Sequence, residues 1–438
     1  MKFIYADSMD HVDPGYDFIE DRYASGRNLY WDDAYPHEIM GYAPYDGLLV
    51  SRGIVGDHRV QGKYSQAQAM RFRRVGARKF LRLDKPQFAN LSIFGDCGAF
   101  TYHKQDVPPY TPEDTAEFYD EGEFTHGCSV DHIIFEYDDT LQGLEGGSAE
   151  AKSRYDITLE NAAAFFKTAN RHSSKFTPLG VVQGWSPGSM AEAARRLWQM
   201  GYRYIAVGGV APLKAPKIKV ALGAIRDALP YEAQIHVLGF AKADEIRSFA
   251  PLRITSFDTT SPLLRAFKDK KSNYYLPNEN GRLRYYTAIR IPQATENRKL
   301  IDLVKRGVAR QEELVDLERH ALDRLRAFDV GRASLEETLE SVLAYSSLAE
   351  LGAPISSLPG SRSFGDLRSR YLKTLEDRPW KQCSCPICAA LSVEVIIFRA
   401  SNRNKRRGIH NLGVYKAHIA SSGEDSFGYD AELFSHTG

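Results

Sequence analysis

Polar residues that end short apolar runs are the best-placed chemistry in this chain. Leu91–Gly95 runs into Asp96-Cys97-Gly98-Ala99-Phe100, and His132–Glu136 into Tyr137-Asp138-Asp139. Pro178–Gln183 runs into Gly184-Trp185, Tyr204–Val207 into Gly208-Gly209-Val210, and Ile254–Phe257 into Asp258-Thr259-Thr260. A lone aspartate at a strand end is most often a helix cap or a loop ion-pair partner. Several together, with a glutamine and a Gly-Gly, describe a pocket for a flat, hydrogen-bonding ligand. Carboxylates and glutamine address ring N–H and amino groups, while glycines let backbone amides approach a carbonyl edge. Two carboxylates in one such pocket also suit displacement at an anomeric carbon, one as nucleophile and one as acid/base.

A second chemistry is written near the end of the chain. Of five cysteines, Cys383, Cys385 and Cys388 are clustered, while Cys97 and Cys128 stand alone. The C-x-C-x2-C spacing lets three thiolates close on one Zn²⁺, and His410 or His418 could complete a tetrahedron. A site with four protein ligands is closed, hence structural, and would stabilise a subdomain too short to fold alone. The same region carries a basic run from Arg399 to Arg407. Arg403, Lys405, Arg406 and Arg407 are its candidates for phosphate contact, although basic runs are usually only solvated surface. Arg71, Arg73, Arg74, Arg78 and Lys79 form another basic cluster at a helix end.

The elements that must position these residues read as alternating strands and helices. The strand candidates are Asp46–Ser51, Lys79–Leu83, Leu91–Gly95, His132–Glu136, Pro178–Gln183, Tyr204–Val207, Ile235–Gly239 and Ile254–Phe257. Helical patterns cover Ala151–Asn170, Ser189–Met200 and Lys214–Leu229. Near-continuously apolar strands are those of a parallel sheet covered on both faces, so an α/β fold, a (β/α)8 TIM barrel, is the economical reading. Barrel catalysts sit at the C-terminal ends of the strands, where the polar residues above fall. Residues 1–44 give no clear pattern. Residues 295–351 are strongly helical, with Leu300, Leu303, Val304, Leu314, Leu317, Leu322 and Leu325 at helical spacing, as in an amphipathic hairpin. The expected organisation is a barrel domain with an N-terminal extension (1–290), a helical insertion (291–375), and a zinc-binding subdomain with a C-terminal segment (376–438).

With 438 residues and a net charge of +1, no global field draws the chain to a polyanion, so nucleic-acid contact must be local. The start lacks the pattern of a secretory signal and no apolar stretch is long enough to span a bilayer, which implies a cytoplasmic protein without membrane partners.

Taken in order, these motifs resemble the tRNA-guanine transglycosylase family. Its Asp-Ser-Gly-Gly-Phe-Gln motif corresponds to Asp96-Cys97-Gly98-Ala99-Phe100-Thr101, and its Val-Gln-Gly-Gly to Val182-Gln183-Gly184-Trp185. Its Ala-Ile-Gly-Gly-Leu is similar to Ala206-Val207-Gly208-Gly209-Val210, and its Phe-Asp-Cys to Phe257-Asp258-Thr259. Its zinc signature is similar to Cys383, Cys385, Cys388 and His410-Asn411-Leu412. The opening segment, with Asp7-Ser8, Val12-Asp13-Pro14 and Tyr35-Pro36-His37-Glu38, looks like the DNA-modifying branch.

The resemblance implies exchange of guanine in DNA for a 7-deazaguanine such as preQ0, with Asp258 as covalent nucleophile and Asp96 as acid/base. It implies substrate contacts from Gln183, Gly208, Gly209, Val210, Phe100 and one of Glu136 or Asp138. An ungapped comparison sets Tyr137 at the family's base-reading acid. It further implies a structural Zn²⁺ on Cys383, Cys385, Cys388 and His410, and leaves room for an ATP-using partner protein. The alternatives are exchange on tRNA, of the queuosine or archaeosine type, and a non-catalytic nucleic-acid-binding subunit.

Overall fold

The computed structural model describes residues 1–171, 174–278 and 282–424. The last part of the expected C-terminal segment, 425–438, lies outside them. The chain divides into two compact units. One comprises Met1–Met9, Tyr45–Thr260 and the described residues from Ile419 on; the other comprises Asp10–Pro44 and Ser261–His418.

The first unit is a closed barrel of eight parallel strands in chain order, as the alternation predicts. They are β1 (Lys2–Ala6), β2 (Gly47–Ser51), β3 (Ser92–Asp96), β4 (His126–Cys128), β5 (Thr177–Val182), β6 (Tyr204–Val207), β7 (Gln234–Val237) and β8 (Ser256–Thr259). Side chains alternate across a strand, so every second residue faces the barrel interior. Ile4, Leu49, Phe94, Cys128, Leu179, Val181, Tyr204 and Ala206 meet there as one apolar cluster. Two residues on from Phe94 is Asp96, two on from Val181 is Gln183, and two on from Ser256 is Asp258. Each is therefore the next inward position, one layer nearer the C-terminal ends of the strands.

Two of the expected strands are corrected. Lys79–Leu83 is not a strand: Lys79 and Phe80 end the Gln66–Phe80 helix, and Arg82 turns the chain with φ +56°. Its alternating apolar residues serve as a helix end, because Phe80, Leu81 and Leu83 are all buried. His132–Glu136 is likewise irregular, and the fourth strand is the three-residue His126–Cys128 before it. The strand missing from the expected set is β1, Lys2–Ala6, which pairs with both β2 and β8. The helices are where periodicity puts them, at Ala149–Arg171, Pro187–Met200 and Ala215–Ala228. Pro187–Met200 shows why: the Ser186 hydroxyl accepts from Ser189 N, Pro187 occupies the first turn, and Gly201 ends it in the left-handed region.

In the second unit, Gln311–Asp329 and Leu335–Leu351 pack as the expected helical hairpin. Leu314, Ala321, Leu322, Leu325 and Phe328 form the buried stripe of the first helix. Arg298–Lys305 precedes the pair and Arg362–Asp377 follows it. Among the described residues, no helix is long and apolar enough to cross a membrane.

The basic run is the main correction here. It lies in the Ser401–Glu424 helix, and Arg403, Arg406 and Arg407 are buried. Arg403 bonds Asp21 at 2.6 Å and also pairs with Glu394 and the Phe18 carbonyl. Arg406 donates to the Asp13 carbonyl at 2.9 Å, and Arg407 to the carbonyls of Val395, Ile397 and Ala266. Lys405 donates to the His11 carbonyl at 3.2 Å. Desolvation lowers the Arg407 guanidinium to about 9, and its two terminal nitrogens are engaged by backbone oxygens and Asn404 Oδ1. These side chains hold the unit together and leave no fork for a phosphate.

Truncating Arg403 would leave Asp21 with Arg399 alone and Glu394 with Arg326 alone, and removing one member of a buried charge network costs about 3–5 kcal/mol. Arg403→Ala is therefore expected to lower the denaturation midpoint strongly while leaving the salt dependence of nucleic-acid binding unchanged. Chemical unfolding followed by fluorescence, with binding titrations at several salt concentrations, checks both.

Candidate active site and metal centre

A cavity of about 550 Å³, part of it open to solvent, occupies the end of the barrel where the strands stop. Asp96, Asp131, Gln183, Gly208, Gly209, Asp258 and Phe100 all line it. The strands fix this set by register, since Val182 lies opposite Val207 and Val50 and Ser51 opposite Gly95 and Asp96. The polar residues ending those strands must converge. Val210 is buried but is not part of the lining.

Glu136 and Asp138 do not reach the cavity. Both are exposed: Glu136 accepts from Ser148 N at 3.2 Å, at the start of the Ala149–Arg171 helix, and Asp138 accepts from the Thr140 amide and hydroxyl. The acid inside is Asp131, which sequence reasoning missed because it sits after a strand too short to leave an apolar signature.

Asp131 is held from two sides. Gln183 Nε2 donates to its Oδ2 at 2.6 Å, and the Cys97 thiol donates to its Oδ1 at 3.0 Å. The Tyr102 hydroxyl fixes the Asp131 carbonyl at 3.0 Å. Gln183 in turn takes the Ile134 amide on Oε1 at 3.3 Å. Gly208 and Gly209 are required here: a Cβ on Gly208 would stand 2.3 Å from Gln183 Nε2, and Gly209 has φ +73°. Any side chain at Gly208 would push the glutamine off the carboxylate.

Electrostatics separate the carboxyl groups. Desolvation lifts Asp96 to about 7; Asp131 and Asp258 nearby push the same way, while hydrogen bonds from Ser51 and Gly98 oppose. Desolvation also raises Asp131, against the donors from Cys97 and Gln183. Asp258 Oδ1 accepts from the Gly239 amide at 3.1 Å and lies 3.3 Å from His236 Nε2. One carboxyl that holds a proton at neutral pH beside another supplied with donors is an arrangement for acid/base work alongside nucleophilic attack. His236 is a residue that sequence reasoning passed over, a lone polar position inside the apolar Ile235-His236-Val237 run.

In the second unit, Cys383, Cys385, Cys388 and His410 bring one ligand atom each to within 4.8 Å of one another. His410 Nδ1 lies 3.6, 3.4 and 3.4 Å from the three sulfurs. Its other nitrogen donates to the Tyr275 carbonyl at 2.8 Å, which leaves Nδ1 free to coordinate. Tyr274 stacks on the imidazole at 4.2 Å. The set fits a metal ion, and His418 is not part of it. Of the earlier basic cluster, Arg73, Arg74 and Lys79 are exposed.

Desolvation of Asp96 has a consequence for stability. Folded Asp96 keeps its proton to about 7, whereas an unfolded aspartate releases it near about 4. Below the lower value both states are protonated and nothing is lost; as pH rises through the window, stability falls, and the full cost is present above the folded value. Asp96→Asn, neutral throughout, should match the wild type at pH 4 and exceed it by about 1–3 kcal/mol at pH 8. Thermal melts across that range read the growing gap; a constant gap would refute the assignment.

No family model matches the chain. Over 416 residues, 94% of this chain and 95% of the relative, the sequence is 41% identical to the DNA-guanine transglycosylase of Salmonella montevideo.

Proposed function

Because the chain belongs to the DNA-guanine transglycosylase family, we propose that it exchanges guanine in DNA for a 7-deazaguanine base through a covalent Asp258 intermediate. The observation that carries the reading is the convergence of Asp96, Asp131 and Asp258 on one cavity with Gln183 and Gly209. The target nucleotide must leave the base stack to enter it. Asp131 then accepts from the ring N–H and amino group of guanine, taking the part expected of Glu136 or Asp138. These donors also bring the desolvated carboxyl back toward its ionised form. Gln183 and the Gly209 amide address the carbonyl edge, and the Phe100 ring offers a stacking face.

In the first displacement, Asp258 attacks C1′; the C1′–O bond forms as the C1′–N bond breaks, and Asp96 delivers its proton to the departing purine. In the second, the incoming base gives its ring proton to Asp96, its nitrogen bonds C1′, and the C1′–O pair returns to Asp258. Two inversions restore the original configuration. Cys383, Cys385, Cys388 and His410 hold a structural Zn²⁺ in this reading, which organises the second unit.

Asp258→Asn is expected to abolish exchange and leave guanine uptake by the cavity nearly intact. Mass spectrometry of nucleosides from DNA and tRNA, with and without the gene, tests polymer and base together: a 7-deazaguanosine confined to tRNA would overturn the DNA assignment. Stripping the metal with a strong chelator should release about one Zn²⁺ per chain and lower the melting temperature. Cys388→Ser should mimic that loss, because structural zinc contributes folding free energy directly.

A further inference from the structure

We infer that His236 is a positioning residue that decides which oxygen of Asp258 attacks. The inference rests on the double displacement proposed above. Strands β7 and β8 are in register with His236 opposite Ser256 and Val237 opposite Phe257. His236 and Ser256 therefore share one interior layer, and Asp258 is the next inward residue of β8. The buried imidazole bridges the two layers, with Nδ1 2.6 Å from Ser256 Oγ and Nε2 3.3 Å from Asp258 Oδ1. Behind it the Tyr204 hydroxyl lies 2.6 Å from Ser256 Oγ.

One direction of donation uses every proton once. Tyr204 O–H donates to Ser256 Oγ, Ser256 O–H to His236 Nδ1, and His236 Nε2–H to Asp258 Oδ1. Burial lifts the Tyr204 phenol to about 12, so the head of the chain keeps its proton. The ring plane is held by Phe94, stacked at 4.9 Å, whose ring also stacks with His126 at 4.1 Å. The imidazole has neither a free tautomer nor a free orientation.

The consequence falls on the carboxylate. Oδ1 has the His236 N–H and the Gly239 amide at 3.1 Å, whereas Oδ2 receives no protein hydrogen bond among the described residues. Asp258 lines the cavity, so Oδ2 is the oxygen left for C1′. Once the Oδ2–C1′ bond exists, Oδ1 is the ester carbonyl and its donors stay in place. In the second displacement the C1′–Oδ2 electron pair returns to the carboxylate and spreads onto Oδ1, where His236 stabilises it. Donors fixed where charge develops are worth most in a site closed to water.

His236→Phe removes the donor and keeps an aromatic ring beside Phe94; His236→Gln keeps a side-chain N–H of similar reach. Steady-state exchange on a DNA duplex should show kcat down about 10–100-fold in His236→Phe, with KM for DNA within about twofold. His236→Gln should recover most of the loss. A His236→Phe kcat within twofold of wild type overturns the inference, as do equal losses in both variants with a raised KM. Wild type and Asp258→Asn serve as positive and zero controls, so a wild type without exchange condemns the base-exchange reading instead. Independent of turnover, ¹⁵N-histidine spectra of the full chain, assigned by the signal lost in His236→Phe, should show an Nε2-protonated ring that shifts in Asp258→Asn and Ser256→Ala. An Nδ1-protonated ring, or one indifferent to those substitutions, refutes the clamp.

Discussion

Three carboxyl groups share one small cavity, and the barrel end is arranged around keeping them from repelling one another apart. Asp96, Asp131 and Asp258 all face the same space. Like charges in a desolvated pocket cannot all ionise without donors, so each acid meets a different solution. Asp96 has few donors and keeps its proton to about 7. Asp131 is bound by a thiol and an amide. Asp258 takes a backbone N–H and an imidazole. Distinct surroundings give three identical side chains different hydrogen bonding and charge, the division that the proposed acid, reader and nucleophile require.

The second unit solves the opposite problem, an excess of positive charge inside a fold. Arg399, just before the Ser401–Glu424 helix, and Arg403, Arg406 and Arg407 in its first two turns end their guanidinium groups on Asp21, Glu394, Glu318 and a series of carbonyl oxygens. Many of those acceptors come from Asp10–Pro44, the segment for which the sequence offered no pattern. Irregular backbone leaves carbonyls unpaired, and buried arginine is the side chain with enough N–H groups to satisfy several at once.

What could be read from the residues alone follows from how far each signal is local. Asp96, Gln183, Gly208, Gly209 and Asp258 were legible because each ends an apolar strand, and strand ends in a barrel converge. The C-x-C-x2-C cluster was legible because metal geometry is written in short spacing. Asp131 was not, since its strand has three residues and the apolar run after it, around Ile133, is buried loop. Charge also misled: a basic run reads as surface until its acidic partners, from Glu394 close by to Asp21 at the far end of the sequence, are seen. The count of eight strands came out right through two offsetting differences, Lys79–Leu83 gained and Lys2–Ala6 unseen.

That first strand ties Asp258 to the amino-terminal segment of the chain. Ile4 lies in register with Asp258, and β8 is completed on one side only by Lys2–Ala6. Closing the barrel therefore joins segments separated by about 250 residues, the costliest kind of contact for a folding chain to make, and the kind that slows folding. During synthesis the amino-terminal strand must wait, an unpaired edge, until β8 has emerged. Asp258 consequently gains its last strand neighbour only once the whole barrel has been made, so a chain cut short before β8 has no closed barrel end.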